Sequence, residues 1–177
     1  MIRQVIFSHG LESGPWGSKI KVMAEVARRL GYAVTSVDYQ GMREPQPRVD
    51  KLLATIDAQP AECTVLVGSS MGGHVATAAA SARDVNGLFV LAPAFFMPGY
   101  EDITPQVPAC EMHIVHGWHD DVVPVDHSIR YARDAAVSLH LVDSDHRLGS
   151  AMATISDRLE TFLRHFVPVT ELGETFQ

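Results

Sequence analysis

A serine flanked by glycines is the first feature of this sequence that could do chemistry. Gly68-Ser69-Ser70-Met71-Gly72-Gly73 contains the pattern G-x-S-x-G, set between the apolar run Val65-Leu66-Val67 and a stretch of small residues from Met71 to Ala82. At a sharp strand-to-helix turn a serine exposes its hydroxyl from strained backbone, and the positions two residues away must be glycine to leave room. That register selects Ser70, because a nucleophile at Ser69 would need glycine where Val67 and Met71 stand. Alone, the pattern also fits an ordinary turn with Ser70 as a cap. A serine hydroxyl is a weak nucleophile and needs a base oriented by a third group. Downstream segments offer both: His116-Gly117-Trp118-His119-Asp120-Asp121-Val122-Val123-Pro124, and Asp143-Ser144-Asp145-His146.

These segments must be positioned by a scaffold, and the rest of the chain supplies one. Short apolar runs recur at Val5-Ile6-Phe7, Val34 to Val37, Val65 to Val67, Leu88 to Leu91, Met112 to Val115 and Leu139 to Val142. Most are continuously apolar, as strands covered on both faces are. Between them lie helical periods. Ser18 to Leu30 places Ile20, Met23, Ala24, Ala27 and Leu30 on one face before Gly31, and Ser150 to Phe166 repeats the rhythm with Met152, Ile155, Leu159, Phe162 and Phe166. Met71 to Ala82, Val49 to Ala58 and Val125 to Ala136 complete the set. This alternation predicts an α/β fold, a three-layer doubly wound sheet of about six parallel strands. Residues 1–177 read as one domain at this length, with 167–177 as a loose tail. Pro93 to Ala109 has four prolines and no helical period, which predicts an irregular loop.

Sites in such sheets form outside the carboxyl ends of the strands. Ser70 follows the third strand, the His116 segment the fifth and the Asp143 segment the sixth, so the order along the chain is serine, acid, histidine. With Phe7-Ser8-His9-Gly10 after the first strand, these motifs resemble the α/β-hydrolase superfamily in its small, cap-less esterase-like form. The resemblance spans residues 7 to 146. It implies Ser70 as nucleophile, Asp120 as the orienting acid and His146 as the general base. It also implies strand order 2-1-3-4-5-6, a minimal core without a cap domain.

Each role has a physical basis. His146 would accept the Ser70 proton and return it to the leaving group, while Asp120 holds the imidazole tautomer. An oxyanion needs fixed donors, for which the backbone N–H groups of Met71 and Leu11 are the candidates. Asp121 is an alternative acid, but the spacing to Val123-Pro124 favours Asp120. Candidate pocket residues are His9, Trp16, Phe95, Phe96, Trp118 and Leu148. His113, His116 and His119 suggest a metal site by spacing. Residues three apart on a strand point to opposite faces, however, so no metal is expected. Without a G-x-G-x-x-G after the first strand or a P-loop, no cofactor is expected either.

Composition narrows the partners. Fourteen Lys and Arg against 21 Asp and Glu give a net charge of −7, which disfavours nucleic acid and anionic membranes. No window reaches the roughly 18 apolar residues of a membrane span, and residues 1 to 7 are too short and too polar for a secretory signal. Two cysteines, Cys63 and Cys110, suit a reducing, cytoplasmic setting. The expected function is hydrolysis of small carboxylic esters by a monomer or small homo-oligomer. A thioesterase, amidase or small peptidase would use the same residues, and a binding protein could retain the fold.

Overall fold

In the computed structural model, which describes residues 1–172, six strands form one parallel sheet in the order β2-β1-β3-β4-β5-β6. The strands are β1 (Arg3–Ser8), β2 (Ala33–Val37), β3 (Cys63–Ser69), β4 (Gly87–Leu91), β5 (Glu111–Gly117) and β6 (Ser138–Val142). The helices are α1 (Ser18–Arg29), α2 (Pro45–Ala58), α3 (Met71–Ala82), α4 (Val125–Ala135), α5 (Met152–Arg164) and α6 (Val169–Leu172). The expected doubly wound sheet and its strand order are both present. Among the described residues, no helix is long and apolar enough to cross a membrane.

The continuous apolar runs now have a reason. Alternate residues of one strand enter separate cores: Val5, Phe7, Val65, Val67, Phe89 and Val115 pack with α1 and α5. Ile6, Leu66, Leu88, Val90 and Ile114 pack with α2, α3 and α4. A strand buried on both faces has no polar side to alternate with. Helix α1 buries Ile20, Met23, Ala24 and Ala27. It stops at Gly31, whose φ of +80° lets the Gly31 and Tyr32 N–H groups donate to the carbonyls of Arg28 and Ala27.

Two expectations are corrected. Helix α2 begins at Pro45, four residues before Val49. Pro45 and Pro47 sit in the first turn, where a missing N–H costs nothing, so the prolines start the helix rather than exclude it. The presumed loose tail is ordered at its start: Val167 is buried in the core with α1 and α5, and α6 follows it. An isolated valine carries no period to reveal this. Residues 173–177 of that tail lie outside the described residues. The Pro93–Ala109 loop is irregular as expected, apart from a single 3-10 turn at Glu101–Ile103.

Candidate active site

Ser70 occupies the junction of β3 and α3 with φ +56° and ψ −121°, a conformation that L-residues seldom adopt. Its surroundings explain the glycines. A Cβ on Gly68 would lie 2.3 Å from the carbonyl oxygen of Gly72, and one on Gly72 would lie 2.0 Å from that of Ser8. Both contacts are to backbone, so nothing can give way. The turn is held by Ser70 N–H donating to Leu91 carbonyl at 2.9 Å, and Ser70 carbonyl accepts from Ala94 N–H at 3.0 Å.

The β6–α5 loop brings His146 to Ser70. His146 Nε2 lies 3.1 Å from Ser70 Oγ, and Nδ1 lies 2.7 Å from Asp120 Oδ2. Asp145 shapes that loop rather than joining the line, its Oδ1 accepting from the N–H groups of Arg147 and Leu148 at 3.0 and 3.2 Å. A close approach supports the arrangement: a Cβ on Gly117 would meet Ser144 carbonyl oxygen at 2.2 Å. The ends of β5 and β6 can therefore meet only if residue 117 is glycine.

Asp120 has no exposed side-chain surface. Its Oδ1 accepts from the N–H groups of Val122 and Val123 at 2.9 and 2.8 Å. Burial pushes the carboxyl up, but the His146 hydrogen bond and those two N–H donors more than offset it, holding it below the usual carboxylate range. Asp121 is exposed. Of the two neighbouring acids, the structure brings only Asp120 to His146.

The backbone donors proposed for the oxyanion are open. Met71 begins α3, where first-turn N–H groups lack intrahelical partners. Leu11 follows Gly10, at which a Cβ would stand 3.5 Å from Ser70 Cβ. Among the described residues neither the Met71 nor the Leu11 N–H has a hydrogen-bond acceptor. The Gly10 loop is fixed from beneath by Arg48, a fully buried cation that donates to the carbonyls of His9 and Met42 at 3.1 and 2.7 Å. Sequence reading missed Arg48, since an arginine in the first turn of a helix gives no sign of burial.

Three of the six candidate pocket residues are corrected. Phe95 is fully buried and stacks on Tyr131 with ring centroids 4.1 Å apart. Leu148 is fully buried in the core with α5. His9 is engaged at both nitrogens, Nδ1 donating to Gly10 carbonyl at 2.7 Å and Nε2 accepting Tyr39 N–H at 2.9 Å. It ties the ends of β1 and β2 and has no atom left for a ligand. Phe96 is half-buried beneath the Arg130 guanidinium, 4.0 Å away, while Trp16 and Trp118 are exposed by 40% and 53%. Lys19, which the sequence did not mark, is half-buried in α1 within the electrostatic reach of Asp120 and Asp145. Burial lowers its pKa while those carboxylates oppose the shift.

The histidines suggested for a metal are dispersed. His113 pairs with Glu111 at 3.3 Å and His119 with Asp143 at 3.0 Å. His116 turns to the opposite face of β5, against Asp120. Among the described residues, no group of three or more His, Cys, Asp and Glu could hold a metal ion.

Acid should weaken the fold before it titrates ordinary carboxylates. Burial lowers the pKa values of His9, His74, His113, His116 and His140 below the ordinary 6.5. The unfolded chain then binds protons that the native state refuses, so stability falls as pH drops from about 6.5 toward the folded values. Differential scanning calorimetry should give a lower Tm at pH 5.0 than at pH 7.5, with the decline concentrated below about 6.5. An unchanged or higher Tm at pH 5.0 would contradict this.

The sequence matches the model of the alpha/beta hydrolase family over residues 5–172. A protein from Xanthomonas campestris pv. campestris, provisionally described as a hydrolase of the alpha/beta superfamily, is 30% identical with a TM-score of 0.85, the alignment covering 94% of this chain and 100% of that one. Est1E from Butyrivibrio proteoclasticus superposes with a TM-score of 0.81 at 19% identity, covering 93% of this chain and 88% of its own. An esterase from Pyrococcus furiosus does so with a TM-score of 0.77 at 14% identity, covering 94% and 84%. At those identities the last two share the fold. No curated protein matches.

Proposed function

Because this chain belongs to the alpha/beta hydrolase family, we propose that it is a serine hydrolase that cleaves small carboxylic esters through an acyl-enzyme on Ser70. The observation that carries the reading is the hydrogen-bonded line Asp120–His146–Ser70, at 2.7 and 3.1 Å. With a carboxylate accepting at Nδ1, the His146 proton sits there and the Nε2 lone pair faces the serine. As Ser70 Oγ bonds to the acyl carbon, Nε2 takes its proton, and Asp120 stabilises the imidazolium. The carbonyl oxygen gains charge and is received by the N–H groups of Met71 and Leu11, each worth about 3 kcal/mol in such sites. Collapse breaks the acyl–alkoxy bond, and His146 returns the proton to the alcohol. Water then repeats the sequence and frees Ser70.

A fluorophosphonate probe tests this directly. The native protein should gain one adduct, placed on Ser70 by peptide mapping, and heat-denatured protein should gain none. A folded protein that takes no label would instead be a binding protein on the same scaffold.

Substrate size follows from the loop after β4. Pro93–Ala109 contains one 3-10 turn and no helical cap, and its Phe95 is committed to the core. Nothing long enough to enclose an extended acyl chain follows β4. Added methylenes would stay partly wet and gain less than the ~0.8 kcal/mol of full burial. In an acyl series of p-nitrophenyl esters, acetyl to hexanoyl should be preferred over dodecanoyl and longer. A kcat/KM that climbs steadily to palmitoyl would overturn the open-site reading.

A further inference from the structure

We propose that His116 is a positioning residue for this reaction, a buried imidazole that pins the Asp120 oxygen on which His146 depends. The inference rests on the serine hydrolase reading above. His116 is the penultimate residue of β5, and its side chain, like that of Asp120, has no exposed surface. Its Nε2 donates to Val123 carbonyl at 2.9 Å and lies 3.0 Å from Asp120 Oδ2, the atom that also meets His146 Nδ1. Its Nδ1 is 2.7 Å from Ser128 Oγ on α4.

The partners fix the protonation. Both groups at Nε2 are acceptors, so the ring proton resides there, and Nδ1 accepts from the Ser128 hydroxyl. The ring is thereby satisfied as a neutral species. Burial, supported by repulsion from a charged His146, keeps it so, against the hydrogen bond to Val123 and the pull of Asp120. A neutral His116 adds no second cation beside the imidazolium that forms during attack.

The geometry gives the neutral ring a mechanical task. Val123 N–H holds Asp120 Oδ1, while Val123 carbonyl is held by His116. One imidazole therefore restrains both the loop that grips Oδ1 and the free edge of Oδ2. Without it, Oδ2 keeps only the His146 bond and the Val123 carbonyl is released, so the loop whose N–H groups grip Oδ1 can shift and the hydrogen bond to His146 slackens. His116 meets Asp120, Val123 and Ser128, and Ser70 is not among its partners, so its loss should lower kcat and leave KM alone.

The test compares full-length wild type with His116→Leu, His116→Asn and His116→Gln, each checked for wild-type circular dichroism. A glutamine amide can place an N–H near the position of Nε2, whereas asparagine is too short and leucine has no donor. His116→Leu and His116→Asn should lose about 10–100-fold in kcat with KM nearly unchanged, well short of the about 10⁴-fold of losing the acid itself. His116→Gln should recover most of that loss. In proton NMR, the downfield His146 Nδ1–H resonance should persist in His116→Gln and broaden or vanish in the other two. Wild-type kcat in a folded His116→Leu or His116→Asn variant, or equal loss in all three, overturns the proposal. If wild type takes no fluorophosphonate label, the serine hydrolase reading has failed. The NMR signal then decides alone, and its persistence in His116→Asn would overturn the positioning role.

Discussion

Ser70→Ala is expected to abolish ester hydrolysis, with a loss approaching 10⁵–10⁶-fold in kcat, about what deletion of a triad serine costs elsewhere. The fold should survive, because the turn is held by Ser70 backbone bonds to Leu91 and Ala94 rather than by its hydroxyl. Ser69→Ala is the control. Ser69 ends β3 and is buried in the sheet, so its removal should leave most of the activity. Steady-state rates on p-nitrophenyl acetate, together with fluorophosphonate labelling, check both variants. Equal loss in two folded variants would show that the glycine register names the wrong serine.

The second large effect falls on the acid. Asp120→Asn should lower kcat by about 10⁴-fold, and Asp121→Asn should change it little. The reason lies in donors and acceptors. Asp120 accepts at both oxygens, from the N–H groups of Val122 and Val123 on one side and from His146 Nδ1 on the other. An asparagine has one acceptor oxygen, so its amide N–H₂ must face donors on one of those sides. If it faces His146, the imidazole flips to the other tautomer and presents a proton to Ser70 instead of a lone pair. If it faces the loop, the backbone grip on residue 120 is lost. Either outcome disarms the base. The variant should also lose acid-sensitive stability. Asp120 has a folded pKa below its unfolded value, so it contributes stability above about pH 3.9 that disappears as pH falls through the folded value. Titration of kcat and Tm for both asparagine variants checks the ranking, and a larger loss in Asp121→Asn would place the acid one residue later.

Legibility differed among the elements for identifiable reasons. Helix α3 spans Met71–Ala82 as its small-residue stretch indicated, because a strand, a glycine-flanked turn and a helix follow one another locally. All six apolar runs are strands, since burial on both faces leaves a signature within each run. Helix α2 hid its first turn behind Pro45 and Pro47, which read as breakers wherever position within the helix is unknown.

The site divides along the same boundary. Sequence by itself determined the glycine register that singles out Ser70 and the order of serine, acid and histidine. The steric demand on Gly68 is local, a Cβ there meeting Gly72, whereas that on Gly72 comes from Ser8 at the end of β1. Side-chain direction outside regular elements belongs to the tertiary structure. Periodicity assigns a face only to helices and strands, so Phe95 and Leu148, in irregular segments, gave no sign that they turn into the core. Arg48 was equally silent, and His116 stood out only through its spacing to His113 and His119. A buried polar group is tolerated only where partners meet it, and theirs come from distant segments: His9 carbonyl for one, and Ser128 on the next helix for the other. Those partners are assembled by the sheet order and the packing of α4, which no local pattern of residues specifies.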